Sequence, residues 1–575
     1  MANQQAEEAK LEHFLQWLQV NGVESRGCKF EYCDHNKGFG IFLANHVPHG
    51  ILLVVPLSLA ITPMRVLQDP LIGPECQAMY EEGEVDDRFL MMLFLTVERL
   101  RQNSSWRPYL DMLPTTFGTP LWFTDDELFE LKGTTLHRAT ELQKKGLLSL
   151  YEDKVKHLVK KLLTLDGSSE REVCFEDFLW ANSIFWTRAL NIPLPHSYVF
   201  PQIQGTNDDS SSADQILEVS TANISSGVSV NGMDEKRCQV NDASTPVSGV
   251  TSTSAQGETI WVEGLVPGID FCNHDFKAAA TWEVDGTGSI TGIPFSMYLL
   301  SAGQSSLQVG KEITISYGNK GNEELLYLYG FVLDKNPDDY LMVHYPAEAI
   351  QSVPFSDSKA QLLEAQNAEM RCLLPKNLLD NGFFSIGIPK DEGNTKKNHK
   401  QVSSYSWSGQ RKMPSYVTKL VFPEIFLSVL RTIAMKEDEL YQVSTLLEEL
   451  VGTGGERQPS DTEVRAAIWE ACGDSGALQL LVDLLNMRMT ELEEGSGTED
   501  SDTDLLKRAE IVESAEQHKE EVKPSEEAEN TTLKRYLISR NKWSSIVYRR
   551  GQKQLSLLFL REAEHALELA LSEGN

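Results

Sequence analysis

The spacing of hydrophobic residues changes along this chain of 575 residues, and that change most constrains its fold. Residues 29–62 hold two β-rich runs, K-G-F-G-I-F-L-A and G-I-L-L-V-V-P-L-S-L-A-I-T, separated by a turn. From about 65 to 190 the apolar residues recur every three or four positions, which predicts helices. Short strands and turns return over 258–345, and 350–575 has mainly helical periodicity. We therefore expect an α+β chain whose strands and helices are segregated along the sequence.

Several helices can be predicted from these repeats. The N-terminal segment 1–24 carries one apolar stripe, and four more follow; the residues are Leu11, Phe14, Leu15, Leu18; Phe89, Leu93, Val97, Leu100; Val155, Leu158, Val159, Leu162; Phe426, Val429, Leu430, Ile433; and Leu555, Leu558, Phe559, Ala563.

Two segments break the pattern. Residues 205–257 contain 11 Ser, 5 Thr and 5 Gly and no aromatic residue, so they cannot bury enough apolar area to offset their conformational entropy. We predict a disordered insertion there. Residues 491–530 hold 15 acidic and 4 basic residues, which predicts a solvated, disordered acidic linker, with the binding of a basic peptide as the alternative.

Composition limits the classes of function. The formal net charge is −32, which argues against a general nucleic-acid binder and permits a basic protein segment as substrate. No apolar run is long enough for a transmembrane helix, and Met1–Lys10 has neither the apolar core nor the arginines of a targeting signal, so we expect a cytoplasmic or nuclear protein. The eight cysteines form no CxxC or CxC pair, so we expect reduced thiols and no zinc site.

Polar residues next to apolar runs mark candidate sites. Gly38 and Gly40 would let the backbone approach a ligand, or simply form a turn. In G-L-V-P-G-I-D-F-C-N-H-D, Asp270, Asn273 and His274 could bind a ligand or stabilise their own turn. A metal site is disfavoured because His274 has no second histidine nearby, and a structural thiol is favoured for Cys272 over a Cys–His nucleophile.

Tyrosines dominate the last candidate segment, I-T-I-S-Y-G-N-K-G-N-E-E-L-L-Y-L-Y-G-F at 313–331. From spacing alone, Tyr317, Tyr327 and Tyr329 are best interpreted as core aromatic residues with satisfied hydroxyls.

Five blocks, taken in order, resemble the split SET-domain protein methyltransferases, the subclass that includes the Rubisco large-subunit lysine methyltransferase and the actin-histidine methyltransferase. The blocks are K-G-F-G-I-F-L-A; S-W-R-P-Y-L-D-M-L-P with T-P-L-W-F; W-A-N-S-I-F-W-T-R-A-L; G-L-V-P-G-I-D-F-C-N-H; and I-S-Y-G-N-K-G-N-E-E-L-L-Y-L-Y-G-F-V. The resemblance covers most of 10–345 and, more loosely, 410–575. It implies a β-rich SET domain over 25–345, split by a helical insert at about 65–180, and a helical substrate-binding domain over 346–575.

The resemblance also implies S-adenosylmethionine-dependent methylation of a protein side chain without a metal. The implied cofactor-binding residues are Gly38, Phe39, Gly40, Thr187, Arg188, Asp270, Asn273 and His274. Tyr317 is the implied catalytic residue, and Leu190 and Tyr329 are assigned to the substrate channel. Phe39 departs from the family, where an arginine is common at that position.

Two further departures bear on the substrate. Leu190 stands where Rubisco-type enzymes tend to have an aromatic residue and the actin-histidine enzyme an asparagine, and leucine cannot hydrogen-bond an imidazole. Histone-modifying SET enzymes often carry a Cys-rich zinc segment after the catalytic tyrosine. No such segment follows Tyr317 here, since the next cysteine is Cys372. We therefore expect a lysine methyltransferase that acts on a non-histone protein, with a histidine methyltransferase and a non-catalytic scaffold as alternatives. We also expect a monomer.

Overall fold

The computed structural model describes residues 2–34, 37–45, 47, 50–168, 172–199, 259–302, 308–384, 413–451, 457–512 and 536–574. The chain divides into two compact units. The first comprises Met1–Trp122, Ala139–Asn319 and Leu328–Gly330, and the second Phe123–Arg138, Lys320–Tyr327 and Phe331–Asn575. The predicted insertion at 205–257 lies outside the described residues.

The first unit contains the β-rich segments. Its four-stranded antiparallel sheet has the order Glu24–Ser25, Ile51–Pro56, Ser296–Ser301 and Ala280–Asp285. Ile51 to Val55 are all buried, so both faces of that strand are covered, as its continuous apolar run predicts. Two antiparallel pairs complete the unit's strands: Cys28–Asp34 with Gly38–Leu43, and Leu190–Pro195 with Thr259–Gly264.

Helices occupy most of the chain between strands Ile51–Pro56 and Leu190–Pro195. The predicted stripe Phe89, Leu93, Val97 and Leu100 is buried on the helix Asp87–Leu100, whose first turn is capped by the Asp86 carboxylate. Among the described residues, the α-helices that include residues of the first unit are Ala2–Val20, Pro63–Leu67, Gly73–Glu81, Asp87–Leu100, Arg107–Leu110, Thr135–Leu150, Lys156–Leu165, Phe175–Arg188 and His196–Val199, and π-helical turns lie at Tyr151–Val155 and Leu325–Tyr329.

The second unit is mainly helical. Its strands pair Tyr340–His344 with Arg371–Pro375, and Ala509–Val512 with Tyr536–Ser539. Its helices are Asp125–Phe129, Asn322–Glu324, Ser356–Ala365, Glu424–Ala434, Glu437–Val451, Asp461–Ala471, Ser475–Glu493, Glu499–Arg508 and Arg540–Glu573. None of the helices in the described ranges combines the length and the apolar character needed to cross a membrane.

The acidic segment differs from its prediction as a disordered linker. Its described part, 491–512, ends one helix, forms the helix Glu499–Arg508 and enters the strand Ala509–Val512. Acidic side chains in the first turn of that helix and basic ones in the last suit the helix dipole. Asp502 is buried and pairs with Arg549 and Lys553, so part of the negative charge is neutralised inside the unit. Residues 513–530 lie outside the described residues.

The compact units also divide elsewhere than at the predicted boundary between 345 and 346. Lys320–Tyr327 and the residues from Phe331 onward belong to the second unit. The reason is a set of local hydrogen bonds: the Asn322 backbone N–H donates to Asp339 Oδ1 at 2.9 Å, and Asn322 Nδ2 donates to the Leu333 carbonyl at 3.0 Å.

Candidate active site

A cavity of about 310 Å³ lies within the first unit. It brings together six of the residues that the resemblance assigned to the site: Thr187, Arg188, Leu190, Asp270, Tyr317 and Tyr329. The other lining residues are Ala189, Asn191, Cys272, Trp282, Ile315, Ser316 and Gly318. The lining does not include Gly38, Phe39, Gly40, Asn273 or His274.

The end of the helix Phe175–Arg188 forms one side of the cavity. Ala189 is extended and the strand Leu190–Pro195 follows at once, so the change of backbone direction leaves Thr187, Arg188 and Leu190 on the cavity wall. The Thr187 hydroxyl donates to the Ser183 carbonyl at 2.7 Å. Arg188 ends the helix, where its positive charge suits the helix dipole.

Asp270 holds Arg188 in place. Arg188 Nη1 donates to the Asp270 carbonyl at 2.9 Å and lies 3.4 Å from Asp270 Oδ2, while its guanidinium stacks 4.8 Å from the Phe271 ring centroid. Tyr109 also donates to Asp270 Oδ2, at 2.7 Å, and the Gly268 N–H donates to Oδ1 at 3.0 Å. Burial raises the pKa of Asp270, although Arg188 and Tyr109 oppose that shift. The sequence analysis did not single out Tyr109, although it stands in the S-W-R-P-Y-L-D-M-L-P block.

Tyr317 lies at the cavity wall with its hydroxyl engaged. The hydroxyl donates to the Cys272 carbonyl at 2.9 Å, and the Tyr317 backbone N–H donates to His274 Nδ1 at 3.1 Å. The rings of Tyr317 and Tyr329 are 4.7 Å apart between centroids. Burial raises the pKa of Tyr317 above its usual value, so the phenol stays protonated at neutral pH.

Leu190 and Trp282 supply apolar wall. Leu190 pairs with Gly264 at the start of its strand, and Trp282 lies on the strand Ala280–Asp285. Trp282 Nε1 donates to the Asn191 carbonyl at 3.2 Å, which ties the two strands together. A single tryptophan in a strand gives no sequence signal for a cavity, and the sequence analysis missed it.

The two glycines meet different surroundings in the strand Gly38–Leu43. Gly38 has φ +70°, and a Cβ there would meet no atom within 4 Å, so its backbone faces open space. A Cβ on Gly40 would lie 2.7 Å from Cys33 Sγ and 3.1 Å from Asn273 Nδ2, so a larger residue there would have to displace these side chains. Phe39 packs edge-to-face on Tyr32.

The segment Lys311–Ser316 joins this strand to Asn273 and His274. The Ile313 N–H donates to the Ile41 carbonyl at 2.7 Å, and the Ile315 N–H donates to the Asn273 carbonyl at 3.0 Å. Asn273 Nδ2 donates to Glu312 Oε1 at 2.7 Å, and Glu312 Oε2 pairs with Lys37 Nζ at 2.7 Å. Neither Glu312 nor Lys37 was predicted, since neither stands out by type or spacing.

Cys272 and His274 do not form a nucleophilic pair. His274 Nδ1 accepts the Tyr317 amide hydrogen, and Cys272 is buried with its pKa raised by desolvation. The cysteines of the described residues are free thiols; Cys238 lies outside those residues. Within the described ranges, no group of three or more His, Cys, Asp or Glu residues is placed to hold a metal ion.

Comparisons with known proteins agree with the resemblance to SET-domain protein methyltransferases, while the split arrangement of that domain stays a prediction. No protein-family model matches the chain. The chain is similar to the [fructose-bisphosphate aldolase]-lysine N-methyltransferase of Arabidopsis thaliana, with 31% identity over 61% of this chain and 58% of that protein. It is similar to the ribosomal lysine N-methyltransferase set10 of Schizosaccharomyces pombe, with 24% identity over 58% of this chain and 46% of that protein. It is also similar to the actin-histidine N-methyltransferase of Canis lupus familiaris, with 27% identity over 31% of this chain and 30% of that protein.

The fold has a solved counterpart. The SET domain of LSMT, bound to lysine and AdoHcy, superposes with a TM-score of 0.56 and 18% identity over 98% of this chain and 92% of that one. The chain therefore has the α+β fold of that SET-domain protein, with a helical C-terminal region. The match to the lysine methyltransferases of Arabidopsis and Schizosaccharomyces spans 58% and 46% of their lengths, about half of each protein.

Proposed function

We propose that this chain is an S-adenosylmethionine-dependent protein-lysine N-methyltransferase that acts on a non-histone protein. The observation that carries the proposal is the cavity in which Tyr317, Tyr329, Trp282 and Leu190 form an aromatic and apolar wall beside Arg188. The names of similar proteins support it, because they are lysine methyltransferases of aldolase and of a ribosomal protein.

The residues present fit the cofactor. Gly38 leaves backbone groups open beside its strand. Arg188 donates to Asp270 through Nη1, and a guanidinium carries five N–H donors in all. Donors on Arg188 can therefore meet the cofactor's carboxylate as a fork. The rest of the cofactor would be held by Gly38, Phe39, Gly40, Asn273 and His274. Thr187 would support Arg188. When bound, S-adenosylmethionine supplies a methyl group that its sulfonium has already activated, so we propose that no metal takes part.

The chain's own residues then position the target amine. A lysine must enter as the neutral amine to offer a lone pair, and an apolar, aromatic wall lowers an amine pKa by disfavouring its charged form. Tyr317 stays a phenol and holds the Cys272 carbonyl by its hydroxyl, so it acts by orientation and not as a base. Alignment of this kind supplies several kcal/mol of rate enhancement.

Leu190 favours lysine over histidine. Its side chain lines the cavity and offers no hydrogen bond to an imidazole nitrogen. Methylation of histidine is the second candidate, because actin-histidine methyltransferases are among the similar proteins.

We further propose a cytoplasmic or nuclear monomer that binds its protein substrate through the helical second unit. Nucleic acid and membrane are not proposed as partners, since the net charge of −32 opposes contact with phosphates.

The test measures methyl transfer directly. Purified protein and radiolabelled S-adenosylmethionine are incubated with extract from cells that lack the protein, and the labelled protein is hydrolysed to identify the methylated amino acid. We expect methyl-lysine from the wild type, and a loss of about 100-fold in Tyr317→Phe if orientation is removed. Tyr441→Phe is the matched control, because Tyr441 is 77% exposed and lies outside the cavity.

Other outcomes identify the alternatives. Label in methyl-histidine would instead support the second candidate function, methylation of histidine. A chain that transfers no label and binds no cofactor by calorimetry would be a scaffold, and the proposed activity would be wrong.

A further inference from the structure

Four side chains form a cluster beside Gly40, which we call the Asn273 cluster: Cys33, Lys37, Asn273 and Glu312. Glu312 is its centre. Its Oε1 accepts from Asn273 Nδ2 at 2.7 Å and lies 3.6 Å from Cys33 Sγ, and its Oε2 pairs with Lys37 Nζ at 2.7 Å. The Glu312 side chain is only 17% exposed, so water screens these contacts weakly.

The cluster fixes which end of the Asn273 amide faces inward. A carboxylate only accepts hydrogen bonds, so the amide nitrogen must point at Glu312 and the amide oxygen must point away. Cys33 reinforces this, since desolvation and then Glu312 raise its pKa to about 12 and keep it a thiol that can donate to Glu312. Lys37 balances the charge of Glu312 from its outer side.

The orientation matters for a ligand that carries donors. The α-ammonium and the adenine amino group of S-adenosylmethionine donate hydrogen bonds, so an amide oxygen suits either group and an amide nitrogen repels both. A group held in its binding orientation before the ligand arrives costs less to order on binding.

We infer that Glu312 is a positioning residue for the cofactor: held by Lys37, it fixes the Asn273 amide with Oδ1 presented as an acceptor. This inference rests on the proposed function, because it assumes that S-adenosylmethionine binds beside Asn273. Glu312 acts through Asn273 and takes no part in methyl transfer.

The test measures the affinity for S-adenosylhomocysteine by calorimetry on the full chain. Glu312→Ala frees the amide to rotate, and we expect its Kd to rise about tenfold. Glu312→Gln keeps an oxygen that can accept from Asn273, and we expect its Kd to stay within about threefold of wild type. The kcat at saturating cofactor should stay within about twofold for both variants, with the change confined to the KM for cofactor.

Two further variants separate positioning from general damage. Asn273→Asp places a second carboxylate against Glu312 and should strongly lower the affinity for S-adenosylhomocysteine. Adding Glu312→Gln should recover part of that affinity, because the glutamine nitrogen then donates to the new carboxylate. Glu84→Ala is the matched control, since it removes an ion pair of the same 2.7 Å length, to Lys154, elsewhere in the first unit.

The outcomes are distinct. Wild-type chain that binds no S-adenosylhomocysteine would overturn the proposed function itself. Wild-type binding with an unchanged Kd in Glu312→Ala would overturn only the role of Glu312. A Tm that falls in Glu312→Ala without any change in Kd would assign the cluster to stability alone.

Discussion

Leu190 is the cavity residue on which the proposed preference for lysine over histidine depends. It is half-buried at the first position of the strand Leu190–Pro195, where its backbone pairs with Gly264 and its side chain packs against the edge of the core. Its side chain can therefore be changed without breaking a hydrogen bond. Trp282 faces the same cavity and keeps the neighbouring strand in position through the Asn191 carbonyl.

We expect Leu190→Asn to shift specificity towards histidine. Asparagine offers an imidazole nitrogen a hydrogen bond worth about 1 kcal/mol, so the histidine-to-lysine ratio of kcat/KM should rise roughly fivefold. The measurement compares label transfer to two peptides that differ only in having lysine or histidine at the target position. Leu190→Val is the control because it stays apolar, and an equal ratio in the two variants would show that residue 190 does not contact the target side chain.

At the scale of the element, the helix Glu499–Arg508 depends on one buried carboxylate. Asp502 is 1% exposed; its Oδ1 lies 2.5 Å from Arg549 Nη2 and its Oδ2 lies 2.7 Å from Lys553 Nζ. Both cations lie on the long helix Arg540–Glu573, so the carboxylate attaches one helix to the other.

Replacing this carboxylate should be costly. Asp502→Ala leaves the buried Lys553 without this carboxylate, while Arg549 keeps Glu130; removing one partner of a buried ion pair typically costs about 3–5 kcal/mol. Thermal unfolding of the full chain should show a lower Tm for the second unit. Asp504→Ala is the control on the same helix, since Asp504 is exposed and pairs with the exposed Lys507. Equal melting curves for the two variants would contradict the buried ion pair.

A second carboxylate gives the second unit a dependence on pH. Burial raises the pKa of Asp339 to about 6, with Glu323 adding to the shift and the Asn322 amide and Lys376 opposing it. The native state therefore holds a proton that the unfolded chain releases near pH 4. Stability from this group is present at low pH and is lost as the pH rises from about 4 to about 6.

We expect Asp339→Asn to remove the part of the pH dependence of the unfolding free energy that comes from Asp339. The wild type should lose up to about 1.4 kcal/mol per pH unit across the window from this one group, and the difference between wild type and variant isolates it from other carboxyls. Denaturant unfolding at a series of pH values measures this. Asp338→Asn, one residue earlier, serves as the control, and a wild-type slope retained in Asp339→Asn would assign the effect to another group.

At the scale of the whole molecule, local patterns could be predicted and distant hydrogen bonds could not. The stripe from Phe89 to Leu100 is buried as its spacing requires, since a helix places those positions on one face. The sequence blocks also contain Arg188, Leu190 and Tyr317, and these three residues line one cavity.

The failures have a common physical cause. Lys37 and Glu312 are 275 positions apart, and nothing in either segment reveals that one charge meets the other. The acidic segment was predicted as a solvated linker because composition averages over residues, whereas one carboxylate, Asp502, is matched by two cations from a distant helix. Composition describes a segment taken alone, and packing against other segments decides whether it folds.

The net charge of −32 leads to a prediction about the proposed activity. A negative protein attracts a basic substrate over distances comparable with the Debye length, which is about 10 Å at 0.1 M salt. The proposed activity should therefore show a kcat/KM that falls as ionic strength rises when the substrate peptide is basic. The kcat should change little, because salt weakens encounter and not the alignment of groups inside the cavity.

An uncharged control peptide distinguishes this attraction from a general effect of salt. We expect its kcat/KM to vary by less than about twofold over the range in which the basic peptide loses about tenfold. The Kd for S-adenosylhomocysteine, which carries no net charge, should also stay nearly constant. If both peptides lost activity in parallel, the negative charge of the chain would have no part in choosing the substrate, and recognition would depend on short-range contacts alone.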